Sequence, residues 1–134
     1  MPPQKRPAMR SAPAAFELQR FKAQFFRALA HPTRIRILET LVGRAMTVQQ
    51  LQDALALGQP IVSQQLAVLR HQGIVSAEKE GSSVRYALRD PLLGALLDVA
   101  RQIFNNRLGQ SQGMLRELRR EKGKFAQRER GVRG

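Results

Sequence analysis

The chain has 134 residues, with 23 Lys plus Arg against 10 Asp plus Glu, no Cys and no Trp. Absence of Cys excludes disulfides, thiolate metal sites and Cys nucleophiles, and no apolar run approaches the roughly 18 residues of a membrane span. The formal charge of +13, carried by 18 Arg and 5 Lys, points to a polyanionic partner, nucleic acid before an anionic membrane.

The charge divides the chain. Residues 1–15 carry Lys5, Arg6 and Arg10 and no acid. With Pro2, Pro3, Pro7 and Pro13 and few apolar residues, this segment reads as a disordered basic arm rather than a secretory leader. Residues 16–108 read as an ordinary globular domain, and 109–134 as a basic, partly helical tail. The arm can enter a minor groove or stay an idle solvated end.

Phe16 to Ala30 carries apolar residues at Phe21, Phe25 and Leu29, the spacing of an amphipathic helix. His31-Pro32 interrupts it, and Pro32 suits the first turn of a second helix that runs to about Val42 and stops at Gly43. Thr47 and Gln50 stand in capping-box register for a short third helix through Leu51, Ala54 and Leu55. Gly58 breaks it. A fourth helix, with Pro60 in its first turn, continues to His71 and ends at Gly73. Two short helices joined by a tight turn containing Gly form a helix-turn-helix signature.

Ile74–Lys79 and Val84–Leu88 are β-prone runs around the turn Glu80-Gly81-Ser82-Ser83, so a hairpin follows the second of these helices directly, as a wing. Asp90 then caps a last helix whose apolar face (Leu92, Leu93, Leu96, Leu97, Ala100, Ile103, Phe104) is too wide for a lone surface helix. Leu108, Leu115, Leu118 and Phe125 extend the spacing thinly into the tail. The fold expected is mainly α with a small β-hairpin wing.

Three sequence words in this order resemble the ArsR/SmtB family of winged helix-turn-helix transcriptional regulators. They are Ala28–Leu38 at the entry to the second helix, Gln59–Arg70 as a recognition helix, and His71–Val75 with Gly81 and Tyr86–Leu88 in the wing. The resemblance covers about residues 18–108. It implies a homodimer closed by the first and last helices, here through Phe21, Phe25, Leu93, Leu96, Leu97, Ala100 and Phe104, that binds a palindromic operator, as a repressor. Gly58 stands where the family has Ser, Ile61 where a small polar residue is commoner, and the wing tip lacks the family's Arg, leaving Lys79 and Arg85.

On that reading, Gln59, Ile61, Ser63, Gln64 and Gln65 lie in the first turns of the recognition helix. Gln pairs with adenine and Ile61 with a thymine methyl. Ser63 and Gln65 sit off the centre of the exposed face, so one or both support the helix instead. Backbone N–H groups at Thr47–Gln49 suit phosphates. Arg34, Arg36 and Arg70 read equally as phosphate contacts or internal ion pairs. Double-stranded DNA in the cytoplasm, at the nucleoid, is therefore the expected partner.

No cofactor and no metal are expected: His31 sits in a turn and His71 at a helix end, and two lone His do not make a site. The effector is then a protein partner or none at all, ahead of a small molecule. No Ser/His/Asp order, carboxylate pair or phosphate loop suggests an enzyme. The alternatives are a nonspecific architectural DNA-binding protein, a metal-responsive regulator with a weak His/carboxylate site, or a winged helix that keeps only protein contacts.

Overall fold

In a computed structural model of the chain, residues 5–108 and 112–133 are described, with side chains over 15–108, 113–114 and 116–124. The order is α1 (Lys5–Leu29), α2 (Pro32–Leu41), β1 (Met46–Thr47), α3 (Val48–Leu55), α4 (Gln59–His71), β2 (Val75–Glu80), β3 (Ser83–Leu88), α5 (Leu92–Arg107) and α6 (Gln112–Arg133).

The core forms where helical periodicities converge. Ile37, Leu38 and Leu41 of α2, Leu51 of α3, and Val62, Leu66 and Leu69 of α4 are fully buried. Spacings of three and four put each set on one face, and Val75, Ile74 and Leu93 close the cluster. Truncating one of these, Leu66→Ala for example, would cost about 2–5 kcal/mol.

Local chemistry fixes the helix ends. His31 caps α2, its Nδ1 accepting from the Thr33 N–H at 3.1 Å, with Pro32 in the first turn. Thr47 and Gln50 form the capping box of α3 reciprocally, at 3.1 and 2.9 Å. Gly73, at φ +73°, ends α4 while Ile74 N–H reaches back to the Leu69 carbonyl at 2.9 Å. Asp90 Oδ1 accepts from Leu92 N–H at 2.9 Å, so it caps α5 although Pro91 is already helical.

The sheet is antiparallel in the order β1-β3-β2. β2 and β3 form the wing, in register from Val75↔Leu88 to Glu80↔Ser83. The two-residue turn between them needs the positive φ of Gly81. Beyond the expected hairpin, β1 adds a third strand through Met46↔Tyr86 and Thr47↔Arg85, which pins the N-terminus of α3 to the wing.

The ends depart from expectation. α1 starts at Lys5, not Phe16; Pro7 falls in its first turn, where the missing N–H costs nothing, while Pro13 lies within the helix and removes one backbone hydrogen bond. The side chains of Lys5, Arg6 and Arg10 lie outside the described residues. α6 folds back on α5 and buries Leu118. Beneath it Arg101, only 7% exposed, donates from Nε and Nη2 to Asp98 Oδ1 at 3.1 and 2.6 Å.

Candidate nucleic-acid interface

The buried stripe Val62–Leu66–Leu69 fixes the rotation of α4 and thereby decides what its other side offers. Gln59, Ile61 and Gln64 face solvent, with Ile61 45% exposed. Gly58 caps α4 without a side-chain bond. The first-turn N–H groups of Gln59 and Ile61 therefore have no capping side chain and suit phosphate oxygens.

The structure separates the expected base-facing set. Gln59 Nε2 donates to Ser63 Oγ at 2.7 Å, which orders both on the outer flank. Gln65 turns inward: its Oε1 accepts from Arg34 Nη1 at 3.0 Å, which braces the helix against α2. At α3 the Thr47 hydroxyl is spent on the capping box, leaving the backbone N–H groups of Val48 and Gln49. The Gln49 side chain is exposed and donates to Asp53 at 3.1 Å.

On the wing, Lys79 is exposed. Arg85 also makes contacts within the protomer. Its Nε pairs with Glu80 at 3.2 Å and its Nη1 donates to the Ala45 carbonyl at 3.1 Å, so the wing strand is tied to the turn before β1.

The other arginines resolve similarly. Arg34 Nε donates to the Ala28 carbonyl at 2.6 Å and Nη2 to that of Arg27 at 3.5 Å. Arg36 Nη2 donates to the Leu55 carbonyl at 3.3 Å. Both guanidinium groups cap helix C-termini, where orphan carbonyls and the negative end of the helix dipole favour cations. Arg70 is exposed in the last turn of α4, next to His71.

Away from α4, two apolar faces have no partner among the described residues of the protomer. On α1, Phe21 is 73% exposed, with Phe16, Leu18 and Phe26 beside it. Phe25 packs edge-on against Phe26 at 5.4 Å and also touches the core. On α5, Leu92, Val99, Ile103 and Phe104 are exposed, while Leu96, Leu97 and Ala100 are half-buried. Leu93, expected at a dimer interface, is buried in its own protomer's core. Leu92, Leu96, Val99 and Ile103 recur at spacings of four, three and four, a seam of which the expected interface set held Leu96 but not Leu92, Val99 or Ile103.

Two carboxyls are perturbed. The hydrogen bond from Arg101 holds Asp98 below the ordinary Asp range, against an opposing effect of burial. Burial pushes Glu121 up, and the neighbouring Glu117 adds to this. Among the described residues, no group of His, Cys, Asp and Glu is arranged to hold a metal ion, and no helix is long and apolar enough to cross a membrane.

Comparison with known proteins matches this architecture. The family model for bacterial regulatory proteins of the arsR family matches residues 31–77, from the α2 cap into β2. The HTH-type transcriptional regulator Rv0081 of Mycobacterium tuberculosis is 42% identical over 103 residues, 76% of this chain and 90% of that one. Its crystal structure superposes with a TM-score of 0.64 over 69% of this chain and 94% of that chain. The biofilm growth-associated repressor of Xylella fastidiosa is 34% identical over 61% of this chain and 72% of its own. The chain belongs to the ArsR family of bacterial regulatory proteins and is a winged helix-turn-helix transcriptional regulator, not an enzyme.

Proposed function

We propose that two copies of the chain close through α1 and α5 and bind a palindromic operator, one α4 in each of two successive major grooves, to repress transcription in the cytoplasm. The observation that carries this is the outward presentation of Gln59, Ile61 and Gln64 from a helix anchored along its opposite face. Gln64 and Gln59 address base edges, and Ile61 meets a thymine methyl. The N–H groups at the starts of α3 and α4, with Lys79, hold phosphates.

The exposed Phe21 and Phe26 on α1 and Val99 and Ile103 on α5 favour the dimer. Large apolar side chains gathered on two exposed helix faces are costly to leave in water. Repression follows the relative of that description in Xylella fastidiosa. Segments 1–15 and 109–134 add affinity through phosphates without adding sequence preference. Removing residues 1–15 should therefore lower the slope of log affinity against log salt.

Fluorescence anisotropy on the DNA upstream of the gene, against scrambled duplex, tests the reading. A specificity gap of roughly 10³ or more is expected. Gln64→Ala should cost about 1–3 kcal/mol on the operator alone, and Ile61→Asp should abolish operator binding. Equal affinity for both duplexes would replace the repressor by an architectural DNA-binding protein. A monomer in sedimentation at micromolar concentration would end the dimer.

A further inference from the structure

A cavity of about 400 Å³ opens where the turn after α2, the wing and α5 meet. Val42 and Arg44 come from the turn, Ala87 and Leu88 from β3, and Gly94 and Ala95 from α5. Small side chains on all three elements leave the space: Cβ on Gly94 would already touch Val42 at 3.5 Å. The other lining side chains are aliphatic, and the one charged residue in the lining is Arg44, which is exposed.

We infer that this cavity is a ligand site for a small amphipathic monoanion, an apolar chain or ring of roughly ten non-hydrogen atoms ending in a carboxylate. Cavities of about 300–1,000 Å³ with few polar groups hold such ligands. The apolar walls take the body, and Arg44 takes the carboxylate as a planar fork matched to its two oxygens.

The position gives the site a regulatory role. Arg44 and Ala45 lead directly into Met46–Thr47, the strand that pairs with β3 and whose Thr47 caps α3. The same Ala45 carbonyl receives the Arg85 bond from the wing. Across the cavity, Gly94 and Ala95 sit one turn before Val99 on the apolar seam of α5. A body wedged there bears at once on the entry to the helix-turn-helix, on the wing and on the helix proposed to hold the dimer. Differential affinity for two such arrangements is all that allosteric control requires. The control of DNA affinity rests on the function proposed above, whereas ligand binding does not.

The probe is sodium octanoate on the full-length chain without DNA, with 1-octanol as the uncharged control. Calorimetry and methyl NMR should show saturable octanoate binding that shifts Val42, Ala87 and Leu88. Ala95→Leu should fill the cavity and weaken octanoate and octanol alike. Arg44→Gln should weaken octanoate about tenfold and leave octanol unchanged. Loss of those shifts in Ala95→Leu with unchanged thermal stability places the ligand. Methyl shifts located elsewhere, or octanoate binding untouched by Ala95→Leu, would overturn the site. Equal losses of octanoate and octanol in Arg44→Gln would overturn the carboxylate assignment. In a second measurement, saturating octanoate should change operator affinity about fivefold or more in the parent and not in Ala95→Leu. An unchanged parent affinity would overturn the regulatory role alone.

Discussion

Arg34→Met should destabilise the fold while leaving the electrostatics of DNA binding untouched. In the parent, the guanidinium makes two good contacts, to the Ala28 carbonyl at 2.6 Å and to Gln65 at 3.0 Å. The third contact, at 3.5 Å to the Arg27 carbonyl, is too long to count for much. Hydrogen bonds to charged groups contribute about 1.5–3 kcal/mol each, and partial exposure argues for the low end, so the loss is about 2–3 kcal/mol. Met keeps most of the apolar stem, so packing changes little. For a domain of this size that is a fall in Tm of roughly 6–15 °C.

Urea unfolding at one fixed protein concentration, with Gln65→Leu and the double variant, completes the cycle. The Arg34–Gln65 coupling should be about 0.5–1.5 kcal/mol. The opposing idea, that Arg34 holds a phosphate, makes a different forecast. Stability would change by less than about 0.5 kcal/mol, and the slope of log affinity against log salt would drop by roughly 0.9 per protomer, about 1.8 for the dimer. That pair of results would refute the internal clamp.

Two further substitutions test the fold. Ala56, the C-cap of α3, sits at φ 55° in the left-handed region. That conformation costs an L-residue about 1–2 kcal/mol, of which the extra entropy of unfolded glycine cancels about 0.5–1. Ala56→Gly should therefore raise stability by about 0.5–1 kcal/mol in chemical denaturation, with operator affinity unchanged. Asp98→Asn leaves the buried Arg101 without its anion and should cost about 1–3 kcal/mol at neutral pH. Because Asp98 is lowered by that partner, its contribution is present above the ordinary Asp range and lost as pH falls below it. The gap between parent and Asp98→Asn should close in acid unfolding curves. Glu121 has the opposite sign. Raised chiefly by burial, it favours the fold when protonated, and that stability is lost as pH rises through its elevated range.

Long periodic segments and end signals were legible. The spacing in α2 and α4, the Thr47–Gln50 box and the glycine after α4 are local codes, and the structure uses each where the sequence places it. β1 was not legible, since two residues carry no period and their strand character comes only from pairing with β3. The internal partners of Arg34, Arg36 and Arg85 were not legible, because they lie 6, 19 and 40 residues away, at carbonyls whose positions exist only after folding. Of the base-facing set, Gln64 and Ile61 follow from the helix period, but Gln65 could not be assigned without knowing that Arg34 stands opposite.

The same arginines bear on how a charge of +13 should be converted into a nucleic-acid footprint. Arg34, Arg36, Arg85 and Arg101 all make described internal contacts, and three of them donate to backbone carbonyls at the end of a helix or the approach to a strand. A guanidinium suits this use because it presents several donors in one plane and stays charged when part-buried. These contacts join α1 to α2 and α4, α2 to α3, and the wing to the turn before β1. They hold the geometry in which α4 projects, and a guanidinium spent on them is expected to release fewer counterions from DNA than a free one. The salt dependence of binding should therefore follow exposed cations such as Lys79 and Arg70 and those in the terminal segments, and fall well short of the formal charge. Arginine richness in such a chain reports two separate demands, neutralising a polyanion and saturating the carbonyls of short helices. Only the folded structure divides one from the other.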